Sequence, residues 1–339
     1  MKAYVYKRNS GCFLEDVPTP DIKEDEILIK VKTSGICGTD FHIKKGEFKT
    51  KDNLILGHEF AGVVEDMGDK VEDYKKGDHV VGDPMTPCFH CEYCKSGQVN
   101  YCVELPGIGV NEDGSFAEYI KVPQSNVHKL KEDVPFEVGA FAEPLSCCLR
   151  GFDQLNPTQG ENMVIIGDGP VGLMMVQLAK LSGISNLVLV GGVESRKELA
   201  YNLGVDKFFD GTEDGVANKI TNYFDNGQIK NIIEAVGIKE TLNLSLKIKT
   251  YGSQILWFGV PAPETKVEIS PHEIFEKEIK LIGSLMNPYT ISRAINLLEN
   301  GRIDVEPLIT HRFKLDEIEK AFDIYENDQE RIKIMIEVE

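Results

Sequence analysis

Four of the eight cysteines in this 339-residue sequence lie within one short, turn-rich segment. They are spaced C-x2-C-x2-C-x7-C, so that a tight loop can direct three thiolates inward and a longer return can supply the fourth. Zn²⁺ prefers such a tetrahedral sulfur set, and four protein ligands leave no position for water or substrate. The spacing predicts a structural zinc lobe at residues 86–104 that is held by Cys88, Cys91, Cys94 and Cys102.

Two other uses of these cysteines stay open on the sequence alone. Disulfide bonds are rare in a reducing compartment, and we expect a cytoplasmic protein because the N-terminal residues lack a signal-peptide pattern. Bacterial ferredoxins hold iron–sulfur clusters with a similar triplet, but a proline follows their last cysteine, where this chain has Val103. Both differences favour zinc.

A second set of candidate ligands combines sulfur, imidazole and carboxylate. Cys37, His58 and either Glu59 or Glu143 would supply three protein ligands, which is the number that a catalytic zinc uses beside a water or substrate. Spacing alone does not single these residues out, since a lone cysteine is commonly a small buried side chain. The histidine could be hydrogen-bonded within a turn, and Glu143 could be an acid at a helix start.

The segment GDGPVG at residues 167–172 follows an apolar run and opens a helix-length apolar stretch. In a dinucleotide-binding β-α-β unit, the three glycines permit a tight turn, close approach of the pyrophosphate, and close packing of helix on strand. The helix N-terminus also attracts the phosphates. A plain packing turn is the alternative. We predict a dinucleotide site that includes Gly167, Gly169, Pro170, Val171 and Gly172.

The end of the next strand bears on which dinucleotide is bound. NAD-binding proteins usually have an acid there, which accepts a hydrogen bond from the ribose 2′-hydroxyl. This chain has Gly191, which would not repel a 2′-phosphate, and then Ser195 and Arg196, which offer donors and a positive charge. The pattern favours NADP(H) over NAD(H), although Glu194 could reach back to a ribose and leaves NAD(H) open.

The predicted secondary structure around these candidates changes along the chain. Residues 1 to about 150 consist of short alternating strands and turns. From about residue 160, apolar strands alternate with helix-length stretches, which predicts an α/β fold with a doubly wound parallel sheet. Near the C-terminus, Leu315, Ile318, Phe322 and Tyr325 mark one helical face, and RIKIMIEVE alternates like a strand.

Overall charge limits the range of partners. Asp and Glu outnumber Lys and Arg by 55 to 37, and the formal net charge is −18. This balance repels nucleic acid and acidic membrane surfaces. No run of 18 apolar residues offers a membrane span. Small molecules are therefore the expected partners.

In combination, the motifs resemble those of the zinc-dependent medium-chain alcohol and polyol dehydrogenases, especially the sorbitol (L-iditol) and galactitol-1-phosphate dehydrogenase branch. The segment GHEFAGVVEDMGDKV at residues 57–71 matches the family pattern G-H-E-x2-G-x5-G-x2-V. GICGTDFH, the cysteine lobe, AEPLSC and the glycine turn occur in the family's order, and the resemblance spans essentially the whole chain.

The resemblance implies a GroES-like, β-rich catalytic domain formed by residues 1–150 and 285–339, with a Rossmann domain inserted at 151–284. It implies a catalytic zinc on Cys37 and His58, with Glu59 and Glu143 alternating as the third ligand. Classical alcohol dehydrogenases have a second cysteine in the place of Glu143, which favours the polyol branch.

The same resemblance implies that Thr39 and His42 relay the alcohol proton, although a surface histidine remains an alternative for His42. The expected enzyme binds two Zn²⁺ per chain, interconverts a secondary alcohol (a polyol or sugar-alcohol phosphate) and its ketone with NAD(P), and forms a homodimer or homotetramer. A simple alcohol dehydrogenase, an L-threonine dehydrogenase and a non-catalytic nucleotide-binding relative remain alternatives.

Overall fold

The computed structural model describes residues 1–48, 50–104, 107–225 and 227–338, and the chain divides into two compact units. One unit comprises Met1–Ser146 and Met286–Glu339, so both ends of the chain contribute to it. The other comprises Cys147–Leu285. Within the described ranges, no helix has the length and apolar character needed to cross a membrane.

The strands and helices follow one another in chain order. The strands are β1 (Lys2–Lys7), β2 (Gly11–Asp16), β3 (Glu26–Gly35), β4 (Leu54–Ile55), β5 (Glu59–Met67), β6 (His79–Gly82), β7 (Tyr119–Pro123), β8 (Val127–Lys129), β9 (Asn162–Ile166), β10 (Asn186–Gly191), β11 (Lys207–Asp210), β12 (Asn231–Glu234), β13 (Gln254–Trp257), β14 (Lys280–Gly283), β15 (Ile309–Lys314) and β16 (Lys333–Glu337). The helices are α1 (Gly38–Lys44), α2 (Glu92–Lys95), α3 (Phe136–Ala140), α4 (Ala142–Leu155), α5 (Pro170–Leu181), α6 (Arg196–Asn202), α7 (Val216–Tyr223), α8 (Lys239–Lys247), α9 (Pro271–Lys277), α10 (Ile291–Glu299) and α11 (Ile318–Asn327). Single 3₁₀ turns lie at Val99–Tyr101, Gln124–Asn126, Glu306–Leu308 and Leu315–Glu317.

The unit formed by the two chain ends is built on two sheets. A small antiparallel sheet has the order β2-β1-β4, and a larger one has the order β15-β16-β3-β5-β6-β8, with β7 also paired to β3. Their apolar faces enclose one core that includes Tyr4, Phe60, Phe116 and Phe322. The larger sheet carries the ends of β3 and β5 to one place, and these ends bear the candidate ligands.

Two details of this unit differ from the sequence prediction. The short helices α3 and the first part of α4 lie in the region predicted as strands and turns. The predicted C-terminal strand is confirmed as β16, but its burial does not alternate, because β16 lies between β15 and β3 and four of its five residues, Lys333 included, are buried.

The middle unit contains one six-stranded parallel sheet with the order β11-β10-β9-β12-β13-β14. In order of appearance its strands run 3-2-1-4-5-6, which is the order of dinucleotide-binding sheets. Its central strands are buried apolar runs such as Met163–Ile166, as expected where helices cover both faces, whereas the edge strand β14 is largely exposed. The predicted doubly wound parallel sheet is confirmed.

Candidate active site and metal centres

Cys37 lies at the N-cap of α1, in the loop that follows β3. Its backbone N–H donates to Asp40 Oδ2 at 2.9 Å, which closes the first turn of the helix. The Asp40 side chain is fully buried. The loop therefore fixes Cys37 against a buried carboxylate.

His58 follows a glycine that the fold requires. Gly57 has a φ of +93°, and a Cβ atom there would lie 2.8 Å from the Phe116 ring. The Gly57 N–H donates to Asp40 Oδ1 at 3.1 Å, and His58 Nδ1 lies 3.3 Å from the same oxygen. Asp40 thus joins the Cys37 loop to the Gly57 turn and lies close to the His58 ring, where a carboxylate commonly lies behind a histidine that ligates a metal, although His58 Nδ1 makes no hydrogen bond within the described residues.

Cys37, His58 and Glu59 are brought together, and one ligand atom from each lies within 4.8 Å of the others. His58 and Glu59 are buried and Cys37 is half-buried. Burial by itself would lower the pKa of His58, but the negative Asp40 and Cys37 beside the ring raise it well above its ordinary value. Sulfur, imidazole and carboxylate held this close together fit Zn²⁺ with a position left open.

Glu59 has a buried cationic partner from a distant part of the sequence. Lys333 of β16 donates to Glu59 Oε2 and, at 3.1 Å, to the Ile36 carbonyl, and both charged side chains are at most 5% exposed. Burial would lower the pKa of Lys333, but the charges of Glu59, Cys37 and Glu143 raise it overall.

Glu143 lies in the first turn of α4, a place where an acid is favourable. In the described chain it is outside the group of ligand atoms formed by Cys37, His58 and Glu59. Its charge still acts on Lys333, so it belongs to the surroundings of that group. The structure therefore brings three of the four predicted ligands together and leaves the fourth nearby.

The two residues predicted to relay a proton lie on α1. The Thr39 hydroxyl is 3.9 Å from the Cys37 sulfur. His42 lies one turn further along, is 54% exposed at its side chain, and has its Nδ1 2.6 Å from a carboxylate oxygen of Glu47. Thr39 adjoins the ligand group, whereas His42 is exposed and contacts Glu47.

The four-cysteine lobe also forms one group, with its ligand sulfur atoms within 4.8 Å of one another. Backbone N–H groups of Cys88 and Cys91 point at cysteine sulfur atoms at 3.4 Å. Amides of Cys94 and Val103 lower the pKa of Cys91 to about 6. Burial instead raises the pKa of Cys94 to about 12. The four closely spaced sulfur atoms suit a tetrahedral zinc.

The glycine turn in the middle unit lies between β9 and α5. Gly167 has a φ of +120°, Gly169 has no neighbouring atom where a side chain would begin, and a Cβ on Gly172 would collide with the Gly167 carbonyl. Pro170 and Val171 form the first residues of the helix, whose N-terminus follows this open turn. These features fit a pyrophosphate on the helix N-terminus.

Gly191 ends β10 beside a carboxylate that the sequence analysis did not consider. A Cβ on Gly191 would lie 2.5 Å from Asp168 Oδ2, so Asp168 occupies that space. The same oxygen accepts hydrogen bonds of 3.0 Å from the N–H groups of Gly192 and Val193, and Asp168 Oδ1 lies 3.1 Å from Arg196 Nη1. Arg196 is buried in this pair, while Ser195 is exposed at the N-cap of α6.

Two family models match separate parts of the chain, and these parts correspond broadly to the two compact units. Residues 23–132 match the alcohol dehydrogenase GroES-like domain, and residues 170–300 match the zinc-binding dehydrogenase family. The first match contains Cys37, His58, Glu59 and the cysteine lobe, and the second begins in the glycine turn.

Individual relatives match over nearly the whole chain. D-arabinitol dehydrogenase 1 of Uromyces fabae is 33% identical over 95% of this chain and 93% of its own length. D-arabitol-phosphate dehydrogenase of Enterococcus avium is 34% identical over 95% and 92%. The crystal structure of a protein described as a zinc-binding dehydrogenase from Sinorhizobium meliloti 1021, bound to NADP, superimposes with a TM-score of 0.95 at 34% identity over 99% and 98%. The chain therefore belongs to the zinc-dependent medium-chain alcohol and polyol dehydrogenases, which are NAD(P)-dependent oxidoreductases with a GroES-like and a Rossmann domain.

Proposed function

We propose that this protein oxidises a secondary alcohol of a polyol or sugar-alcohol phosphate to the ketone, and catalyses the reverse reduction. The observation that carries the proposal is the group of Cys37, His58 and Glu59 backed by buried charges. The names of the two curated relatives, one acting on an arabinitol and one on an arabitol phosphate, support the substrate class.

Each residue of this group has a defined part in the proposed mechanism. Cys37, His58 and either Glu59 or Glu143 would hold the catalytic zinc, and Asp40 would keep the His58 ring in place. When bound, the zinc would lower the pKa of the substrate hydroxyl, and the nicotinamide would accept the hydride. Thr39 would take the alcohol proton, and His42 would deliver it to solvent.

We also propose a second, structural zinc on Cys88, Cys91, Cys94 and Cys102. Its support is the four-sulfur group with its amide donors. Metal analysis of the purified protein is expected to give two zinc ions per chain. One ion or none would favour a non-catalytic nucleotide-binding protein.

For the coenzyme we propose a preference for NADP(H), supported by Ser195 and by the NADP-bound relative, while the Asp168 carboxylate beside Gly191 opposes it. Arg196 is held by Asp168, and it must leave this pair to reach a 2′-phosphate. We therefore expect a modest preference of no more than about tenfold, or roughly 1.4 kcal/mol. Fluorescence titration with NADPH and NADH measures it, and tighter binding of NADH would reverse the proposal.

The proposed assembly is a homodimer or homotetramer in a reducing cytoplasm. The edge strand β14 and nearby exposed apolar residues, such as Leu285 and Val260, support an association of copies. None of the eight cysteines, all within the described residues, forms a disulfide, which supports the reducing compartment. Sedimentation equilibrium would measure the oligomeric state, and a monomer at micromolar concentration would contradict it.

A substrate screen tests the central proposal. Sorbitol and other polyols, their phosphates, simple secondary alcohols and L-threonine are each offered with both coenzymes, and nicotinamide absorbance is followed. We expect the highest kcat/KM for a polyol or its phosphate. A higher value for L-threonine or a simple alcohol would favour the alternative dehydrogenases on the same scaffold.

A further inference from the structure

The ion pair of Glu59 and Lys333 crosses a strand that separates the two residues. Glu59 begins β5, Lys333 begins β16, and both strands pair with β3, which lies between them. Gly35, the last residue of β3, is opposite Glu59 in one ladder and opposite Met335 in the other. The two side chains therefore meet over the backbone of Gly35.

Gly35 makes this meeting possible. A Cβ atom at this position would collide with Glu59 Oε2 and would lie 2.8 Å from Lys333 Cε. The φ angle of Gly35 is not in the left-handed region, so the backbone itself does not require glycine here. The residue is instead explained by the space that the ion pair occupies.

Glu59 lies beside one cation, Lys333, and within the ligand group that would hold a second. Its carboxylate pairs with Lys333 and also belongs to the ligand group with Cys37 and His58. Only 1% of Glu59 is exposed, so water cannot solvate the carboxylate when either partner is lost. A buried carboxylate without a cation is costly, and Glu59 must therefore bind one partner or the other.

The charges of the region favour this arrangement. The buried Asp40 together with ionised Cys37, Glu59 and Glu143 would give this region more negative charge than Zn²⁺ alone can neutralise. Lys333 supplies a positive charge among them from a site that is 4% exposed. A carboxylate shared with an ammonium group donates less electron density to a metal, and a weaker third ligand leaves the open position available to substrate.

We propose that Lys333 is a positioning residue that restrains Glu59 beside the catalytic metal and keeps it from becoming a permanent ligand. This inference rests on the proposed zinc site. It concerns how firmly Glu59 coordinates the metal there. Without the lysine, Glu59 has only the metal as a partner, so it binds the metal firmly and competes with substrate.

The competing interpretation is a purely structural ion pair. Lys333 also donates to the Ile36 carbonyl and lies 5.9 Å from the Phe141 ring, and both contacts could serve stability alone. The two interpretations predict opposite changes in metal affinity. Loss of a structural residue would loosen the ligands and weaken binding, whereas release of Glu59 would strengthen it.

The test is the variant Lys333→Met, measured on the full-length protein with Co²⁺ as a spectroscopic replacement for Zn²⁺. We expect Co²⁺ to bind about tenfold more tightly than in wild type, the size of effect that outer ligand-sphere residues commonly have. The visible absorption bands of cobalt should shift as a carboxylate joins, and kcat should fall. The spectrum of Cys37→Ala, which reports the cysteine lobe alone, is subtracted.

Three controls separate the outcomes. In the Glu59→Gln background, Lys333→Met should cause no shift, because the carboxylate that pairs with Lys333 has been removed. Lys249→Met removes another lysine with a 10% exposed side chain, which pairs with Glu273 in the other unit, and should leave the cobalt spectrum unchanged. Lys333→Gln keeps a donor for Ile36 without the charge, and it is judged by the same criteria if Lys333→Met does not fold.

Weaker cobalt binding, or an unchanged spectrum in a folded Lys333 variant, would overturn the role of Lys333 and leave the zinc site standing. If wild type and Cys37→Ala gave the same cobalt spectrum, no metal would occupy the mixed site. In that case the proposed function would fail, and the role of Lys333 with it.

Discussion

The two candidate metal centres differ in the groups that surround their ligands. The lobe takes its four cysteines from residues 88–102, and backbone amides point at the sulfur atoms. The mixed centre takes its ligands from loops that flank β3 and β5, and two buried charged side chains, Asp40 and Lys333, lie directly behind them.

This difference follows from what each centre must do. Four thiolates satisfy zinc completely, so the lobe needs only a loop that presents them. A centre that keeps a position open has incomplete and unequal ligands, and their orientation and charge must be controlled from outside. Removing ligands or partners from each centre tests this contrast.

The largest effect is expected from His58→Ala. Loss of the imidazole should empty the mixed centre and remove several kcal/mol of charge stabilisation, so that kcat/KM falls by about a thousandfold or more. Metal analysis should give one zinc per chain in place of two. Coenzyme binding, followed by fluorescence, is the control and should not change. Turnover close to that of wild type would refute the zinc mechanism.

Cys102→Ser should act on stability and leave the chemistry intact. With its fourth thiolate gone, the lobe loses its metal and the structure that depends on it, and we expect Tm to fall by roughly 5 °C or more. Limited proteolysis should now cut within residues 86–104. Below the transition, kcat/KM should stay within about twofold of wild type. A catalytic defect at unchanged Tm would contradict the structural assignment and erase the contrast.

Asp40→Asn tests whether a buried charge supports the mixed centre. Asp40 accepts hydrogen bonds from the Cys37 and Gly57 amides and faces His58. The neutral amide should hold the imidazole less well, and zinc affinity, measured by chelator competition, should fall by about 10- to 100-fold. Glu92→Gln is the matched control in the lobe, because the Glu92 side chain is 95% exposed and pairs with Lys95. Equal losses of zinc affinity in both variants would contradict the proposed difference between the two metal centres.

The same contrast explains how much could be predicted from the sequence. The spacing of Cys88 to Cys102 and the segment GDGPVG are local patterns, and the structure forms a sulfur group and an open helix turn from them. Lys333 could not be predicted, because 274 positions separate it from Glu59 and their meeting depends on the register of three strands. A lysine within an otherwise apolar strand was the available signal.

Glu143 and Arg196 illustrate the same limit. The sequence suggests which residues can ligate or bind phosphate, but it does not contain the distances that decide between them. Glu143 lies outside the closest ligand group, and Arg196 is occupied by Asp168. Both outcomes depend on side chains that the fold brings in from other segments.

A buried acid also lies near the lobe. It allows a test of whether a buried charge supports the metal of the lobe, as Asp40 is expected to do at the mixed centre. Asp83 is 8% exposed and accepts hydrogen bonds from the Met85 amide at 3.0 Å and from Asn287 Nδ2 at 3.3 Å. Met85 and Met286 pack against the lobe cysteines. Burial raises the pKa of Asp83 to about 6, although both hydrogen bonds oppose this change.

Asp83→Asn should therefore stabilise the protein at neutral pH. Below pH 3.8 the acid is protonated in both the folded and the unfolded state. As pH rises towards 6, the unfolded state ionises first, so wild-type stability falls, and above pH 6 the cost stays constant. The variant avoids this cost, and its advantage in unfolding free energy should grow between pH 4 and 6 and level off at about 3 kcal/mol. Thermal unfolding across this range measures it, with the exposed Asp133→Asn as control. Loss of the lobe zinc in Asp83→Asn would show instead that this carboxylate supports its metal centre as Asp40 supports the other, and the distinction between the two centres would fail.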